Sequence, residues 1–243
     1  MMLLRTAVFY LALVPLTLYH GAVAVLASKR GNHGRADQAG QRWARTLLTI
    51  AGVEVEVTGL ENVPHGTGLV IVSNHLSNLD ALVQFDSLKT LSMRFMAKTE
   101  LYKIPIFRTV LKSMNMVRVD RQAGPAGVAE LKARLKNLFE NGHSLAVYPE
   151  GTRSRAGGIL TFKKGPFVTA YSGNAAVLPI TMFGTDRSWK PGDWKIRSGT
   201  VQIVVHPPLH ANADAADPVD DLRQRTQAAI ETTYRALSTA ASD

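Results

Sequence analysis

An α/β fold, a sheet flanked by helices and preceded by an N-terminal membrane-binding helical hairpin, is what three features of the sequence predict. Short apolar runs alternate with segments of helical spacing from residue 52 onward, the pattern of helices layered on a sheet. Val53-Glu54-Val55-Glu56-Val57-Thr58 alternates strictly at the start of that region, as a half-buried strand does. Ala7 to Leu26 carries no charged residue, and about 20 apolar residues suffice for a bilayer-crossing helix. The organisation expected is therefore 1–51, a membrane-associated helical hairpin, and 52–243, one α/β domain.

The first segment exceeds the ~7 to 15 apolar residues of a secretory leader, so it reads as a retained anchor, with Ala22-Val23-Ala24 as the cleavage site of the competing leader reading. Lys29, Arg30 and Arg35 after it outnumber Arg5 before it, which places the following chain in the cytoplasm if the segment spans. Gly31 to Gly34 makes a turn. Asp37 to Ala51 then puts Trp43, Leu47 and Ile50 on one stripe, either at the headgroup level or packed on the domain.

Gly68 to Val72 reads as a buried strand and Leu79 to Leu88 as the helix after it. Further strands are expected at Met93–Ala97, Met116–Val119, Ser144–Tyr148, Ala176–Met182 and Thr200–His206. Helices are expected at Ala126–Glu140 and after Asp217-Pro218, where an N-cap precedes proline in the first turn. Pro179 inside an apolar run suggests an edge strand or a local break in pairing.

The chain has 28 Lys and Arg against 19 Asp and Glu, a net charge of +9 and a pI near 9.9. That balance calls for an anionic partner. A charge-free anchor and the lack of a recognition motif set nucleic acid aside in favour of phosphates and an anionic membrane surface. No cysteine is present, which excludes disulfides, thiolate metal sites and a cysteine nucleophile.

Four strand ends carry polar groups suited to chemistry. Asn74-His75-Leu76-Ser77-Asn78-Leu79-Asp80 puts an imidazole on a strand-to-helix turn with a carboxylate five residues on. An Asp at one ring nitrogen fixes the tautomer and leaves the other nitrogen as a base. The same Asp80 also fits a capping box with Ser77. Tyr148-Pro149-Glu150-Gly151-Thr152-Arg153 follows a second apolar strand and supplies a guanidinium fork for phosphate. Arg118-Val119-Asp120-Arg121 and Lys98 end two more strands, and Phe162-Lys163-Lys164-Gly165 adds ammonium groups.

Taken together, the Asn74-His75 to Asp80 box, Arg118 to Arg121, the Pro149-Glu150-Gly151-Thr152-Arg153 block and Leu178-Pro179-Ile180 resemble the four ordered blocks of the 1-acylglycerol-3-phosphate acyltransferase family, also called lysophosphatidic acid or PlsC-like acyltransferases. The resemblance spans roughly residues 53 to 206. It implies a glycerolphosphate-acyltransferase-like fold at a cytoplasm-facing membrane such as the cell inner membrane. His75 would be general base and Asp80 its partner, while Arg121, Glu150, Gly151, Thr152, Arg153 and Lys98 would hold lysophosphatidic acid. The acyl donor would be a coenzyme A or acyl-carrier-protein thioester, with no cofactor, metal or covalent acyl-enzyme. Leu76, where the family often has Gln, and Arg118, where it usually has an aromatic residue, are departures that keep a lyso-ornithine lipid or another lysophospholipid as alternative acceptors. From other classes come a noncatalytic anionic-lipid module and a serine hydrolase using Ser73 or Ser77, the latter without a G-x-S-x-G elbow.

Overall fold

The computed structural model describes residues 1–64, 66–119, 125–155 and 157–241; the side chains of 98, 106, 119 and 125–128 lie outside the description. Helices α1 (Met2–Lys29) and α2 (His33–Ala51) form an antiparallel pair, α2 opening on an Asn32 cap and closing on left-handed Gly52. The strands are β1 (Val53–Thr58), β2 (Val70–Ser73), β3 (Met93–Lys98), β4 (Val117–Val119), β5 (Ser144–Val147), β6 (Val177–Phe183) and β7 (Gly199–Val205). Between and after them lie α3 (Asp80–Ser87), α4 (Pro105–Ser113), α5 (Pro125–Glu140), α6 (Gly165–Ser172), the single turn α7 (Thr185–Ser188) and α8 (Pro218–Ala240).

The seven strands form one sheet in the order β1-β7-β6-β2-β5-β3-β4. The five from β6 to β4 run parallel, while β7 is antiparallel to β6 and parallel to β1. Successive residues of a strand point to opposite faces, and the sheet buries both. Ile71, Ala146 and Leu178 join one apolar cluster with Leu47 and Leu48 of α2 and Val83 of α3. Val70, Val72, Leu145 and Val177 join the other with Leu135 of α5, Phe167 of α6 and Ile230 of α8. The result is a mixed sheet between two helical layers.

Two alternatives that the sequence leaves open are decided by the structure. Pro179 lies in an interior strand, not at an edge, and the break in pairing is what accommodates it. His206 N donates to Pro179 O at 3.0 Å, the return donation has no N–H to make it, and pairing resumes only at Val177 with Leu209. Trp43 does not face outward: its indole N–H donates to Thr17 Oγ1 of α1 at 3.0 Å, so α2 is packed on both sides.

Helix α1 lies along the domain. Ile196 N donates to Thr6 Oγ1 at 3.0 Å near its start, and Ser28 Oγ donates to Ser113 O at 2.8 Å near its end. Phe9, fully buried, meets Trp189 edge-on at 5.5 Å. The opposite stripe, with Leu4, Val8, Leu11, Val14 and Leu18, is exposed, on a helix of mean hydropathy 1.8 over its most apolar window.

Candidate active site

Strands β2 and β5 are parallel neighbours, so the loops that leave them emerge at one carboxyl edge, where open α/β sheets bind ligands. The β2 loop holds His75 and the β5 loop holds Tyr148 to Arg153. His75 Nδ1 lies 2.7 Å from Asp80 Oδ2. The same oxygen accepts from Leu76 N at 2.8 Å and Ser77 N at 2.9 Å. A carboxylate only accepts, so Nδ1 carries the hydrogen and Nε2 holds a lone pair. Asp80, wholly buried, is the first residue of α3, where the helix dipole favours an anion. It serves the imidazole and closes the turn in one stroke, but not as a capping box: the N-cap of α3 is Leu79, and Ser77 Oγ accepts from Leu79 N at 3.1 Å within the turn. Nε2 has no hydrogen-bond partner among the described residues, and the His75 side chain keeps 21 % of its surface exposed.

Tyr148 lies flat on the imidazole, ring centroids 3.9 Å apart and planes 10° from parallel. Burial, reinforced by the Asp80 charge, pushes its phenol well above the ordinary value, so it is a neutral platform.

Glu150 reaches inward. Its two carboxyl oxygens accept from His75 N at 2.7 Å and Leu160 N at 3.0 Å, and it is almost fully buried. Burial, partly offset by those two bonds, raises its pKa to about 7. Ser154 N donates to His75 O at 2.9 Å, a second tie between the loops. The geometry of Glu150 is that of a strut between loops, each carboxyl oxygen accepting one backbone N–H.

Gly151 adopts a left-handed φ of +72°, and a β-carbon there would lie 2.7 Å from Lys163 Nζ. Only glycine suits that backbone and leaves the ammonium its place. Lys163 is thereby folded over the β5 loop at Gly151; the residues that follow in the loop are Thr152, which is exposed, and Arg153, which is partly exposed. Neither Lys163 nor Arg153 pairs with a carboxylate among the described residues, whereas Lys164 is taken up by Asp217 at 3.1 Å and Asp220 at 3.3 Å of the α8 start. Lys98 ends β3, which flanks β5, with its side chain outside the description, and Arg121 lies wholly outside the described residues.

The serines and the departure at 76 turn inward. Ser77 Oγ donates to Trp189 O at 2.7 Å, Ser73 is buried against Gln84, and Leu76 is wholly buried. Neither serine is presented as a nucleophile, and Leu76 packs in the interior instead of lining a ligand site. Asn74 clamps β2 to β6: its Nδ2 donates to Met182 O and its Oδ1 accepts from Met182 N, both at 2.8 Å. Sequence reasoning assigned no role to Asn74, Tyr148 or the Lys163 side chain individually; the Phe162-Lys163-Lys164 cations were the only signal for the last.

The family model described as Acyltransferase matches residues 54–183, over half the chain, from β1 to the end of β6. The chain belongs to the Acyltransferase family. This acyltransferase is similar over nearly its whole length to the crystal structure of the 1-acyl-sn-glycerophosphate acyltransferase PlsC from Thermotoga maritima, with a TM-score of 0.83, 25% identity, and coverage of 98% of this chain and 96% of that one. The 1-acyl-sn-glycerol-3-phosphate acyltransferase of Pseudomonas aeruginosa is 28% identical over 240 residues, 97% of this chain and 92% of that protein. The chloroplastic 1-acyl-sn-glycerol-3-phosphate acyltransferase LPAT1 of Arabidopsis thaliana is 35% identical over 161 residues, 65% of this chain and 44% of that protein.

Proposed function

We propose that this acyltransferase moves a fatty acyl group from a coenzyme A or acyl-carrier-protein thioester to the free sn-2 hydroxyl of 1-acylglycerol-3-phosphate, giving phosphatidic acid, at a cytoplasm-facing membrane. The observation that carries the reading is a histidine with Nδ1 held by a buried carboxylate at 2.7 Å and Nε2 open, beside a loop whose Arg153 and Lys163 have no carboxylate partner among the described residues. Nε2 takes the hydroxyl proton as that oxygen attacks the thioester carbonyl; Asp80 stabilises the imidazolium; collapse of the tetrahedral adduct expels the thiolate, which recovers the proton. Arg153, and Lys163 over Gly151, hold the acceptor phosphate. Thr152, Lys98 and Arg121 complete the proposed acceptor site, while Glu150 acts by holding the His75 backbone. The buried serines support direct transfer without an acyl-enzyme.

An acceptor panel tests this. Purified protein in mixed micelles is given 1-acylglycerol-3-phosphate, 1-acylglycerol, a lyso-ornithine lipid and a lysophosphatidylcholine with each thioester. The reading expects transfer to the phosphate monoester to exceed transfer to 1-acylglycerol by at least tenfold in kcat/KM, and Arg153→Gln to shrink that ratio. Equal rates with and without the phosphate would contradict it.

A further inference from the structure

We infer that residues 99–113, the 3-10 turn Thr99–Lys103 and α4, form a second lipid-docking element beside α1, and that the groove between the two helices seats headgroups of an anionic bilayer. This rests on the reading of α1 as the membrane-contacting helix. Helix α4 packs on the last turns of α1: a β-carbon on Gly21 would fall 2.9 Å from Val110 Cγ2, and Ser28 is bonded to Ser113 O. Leu101 of the turn, Ile104 at the α4 N-cap and Phe107 of α4 are exposed among the described residues, as are the apolar residues of the α1 stripe. A groove of about 580 Å³ between the helices is lined by Val25, Lys29, Pro105, Arg108 and Lys112 among others.

The charges identify the occupant. Residues 99–113 contain three cations, Lys103, Arg108 and Lys112, against one acid, Glu100 at the start of the turn; α1 has no acid at all. On α8, by contrast, arginines are matched one turn away, Arg225 with Asp221 and Arg235 with Glu231. Lys29, Arg108 and Lys112 pair with no carboxylate among the described residues. Exposed apolar side chains flanked by unpaired cations fit an interface of acyl chains and anionic headgroups. Trp43 of α2 is turned inward, so the second element is α4. The turn Thr99–Lys103 leaves β3 at the same carboxyl edge that β2 and β5 share, which brings the lipid surface to the side of the site from which a lysolipid would enter.

The absence of cysteine allows single labels on the full chain. An environment-sensitive fluorophore is placed at Phe107→Cys, with Leu11→Cys on the α1 stripe as membrane reference and Asp214→Cys in an exposed turn as aqueous reference. Binding is to phosphatidylcholine vesicles with and without phosphatidylglycerol, quenched by brominated acyl chains. The expected result is a blue shift and quenching at Phe107 comparable to Leu11, with neither at Asp214. Arg108→Gln with Lys112→Gln is expected to weaken partitioning into phosphatidylglycerol vesicles roughly 25-fold, about fivefold per cation, and to leave partitioning into pure phosphatidylcholine unchanged. A Phe107 label that stays aqueous while Leu11 is quenched overturns the inference, as does an unaltered phosphatidylglycerol preference in the double variant. If Leu11 itself is not quenched, the membrane reading of α1 fails and the α4 element falls with it.

Discussion

Asn74 does at the scale of one side chain what a strand does with its backbone. Its amide extends the β2–β6 pairing past Ser73↔Ile180 by exchanging two bonds with the Met182 peptide, and so fixes the direction in which His75 leaves the sheet. Asn74→Ala leaves a buried N–H and a buried C=O unpaired, at about 1–3 kcal/mol each; urea unfolding is expected to show a loss of ~2–5 kcal/mol. Glu150 makes a separate prediction through pH. Its folded pKa, about 7, lies above the ordinary carboxyl value of 4.5 because it is buried. The native state therefore keeps a proton that the unfolded chain has lost, and this group's contribution to stability is full below about 4.5 and falls as pH rises through about 7. Subtracting the melting-temperature profile of Glu150→Gln from that of the unsubstituted protein should leave a term that declines across this window; a term that rises would contradict the assignment. The His75 and Asp80 spacing was legible because both lie in one turn. The inward aim of Glu150 and the clamp of Asn74 were not, since their partners come from residues 75 and more than 100 positions away.

At the scale of elements, strands and helices followed from periodicity and punctuation. β1 coincides with Val53–Thr58, and α8 begins on the Asp217 cap, whose side chain accepts from Val219 N and Asp220 N. What periodicity cannot report is which neighbour a face meets. Trp43 reads equally well toward headgroups or toward protein, and only the position of Thr17 on α1 decides it. Arg94 is similar: a cation in a strand reads as solvent-facing, yet it is buried and bonded to Asp37 of α2 at 2.7 Å. Asp37→Ala strands that guanidinium, and breaking a buried pair from one side costs about 3–5 kcal/mol; thermal unfolding should show it, while Asp214→Ala, at an exposed turn with no ion pair among the described residues, should leave stability nearly unchanged. Helix α1 shares the buried cluster of the sheet through Phe9, Ala24 and Ala27, so we expect a 52–243 fragment to lose cooperative unfolding instead of behaving as a freed domain.

For the whole molecule, the α/β class and the convergence of the β2 and β5 loops were readable from strands that end in polar blocks, but the strand order was not. β5 enters between β2 and β3, and β6 crosses to the far side of β2, so the histidine strand is central and loops far apart in sequence meet above it. The +9 charge is likewise a bulk fact until the fold distributes it, leaving by the site and along α4 cations that have no carboxylate partner among the described residues. Everything proposed for the site turns on His75 as the base of an acyl transfer. That role is tested most directly by the initial rate of acyl transfer to 1-acylglycerol-3-phosphate for the unsubstituted protein and for His75→Ala, with far-UV circular dichroism and vesicle binding measured on the same preparations. A fall of about 10²- to 10⁴-fold in kcat is expected with fold and vesicle binding retained; a folded, vesicle-bound His75→Ala protein that transfers acyl groups at the unsubstituted rate would rule out His75 as the base.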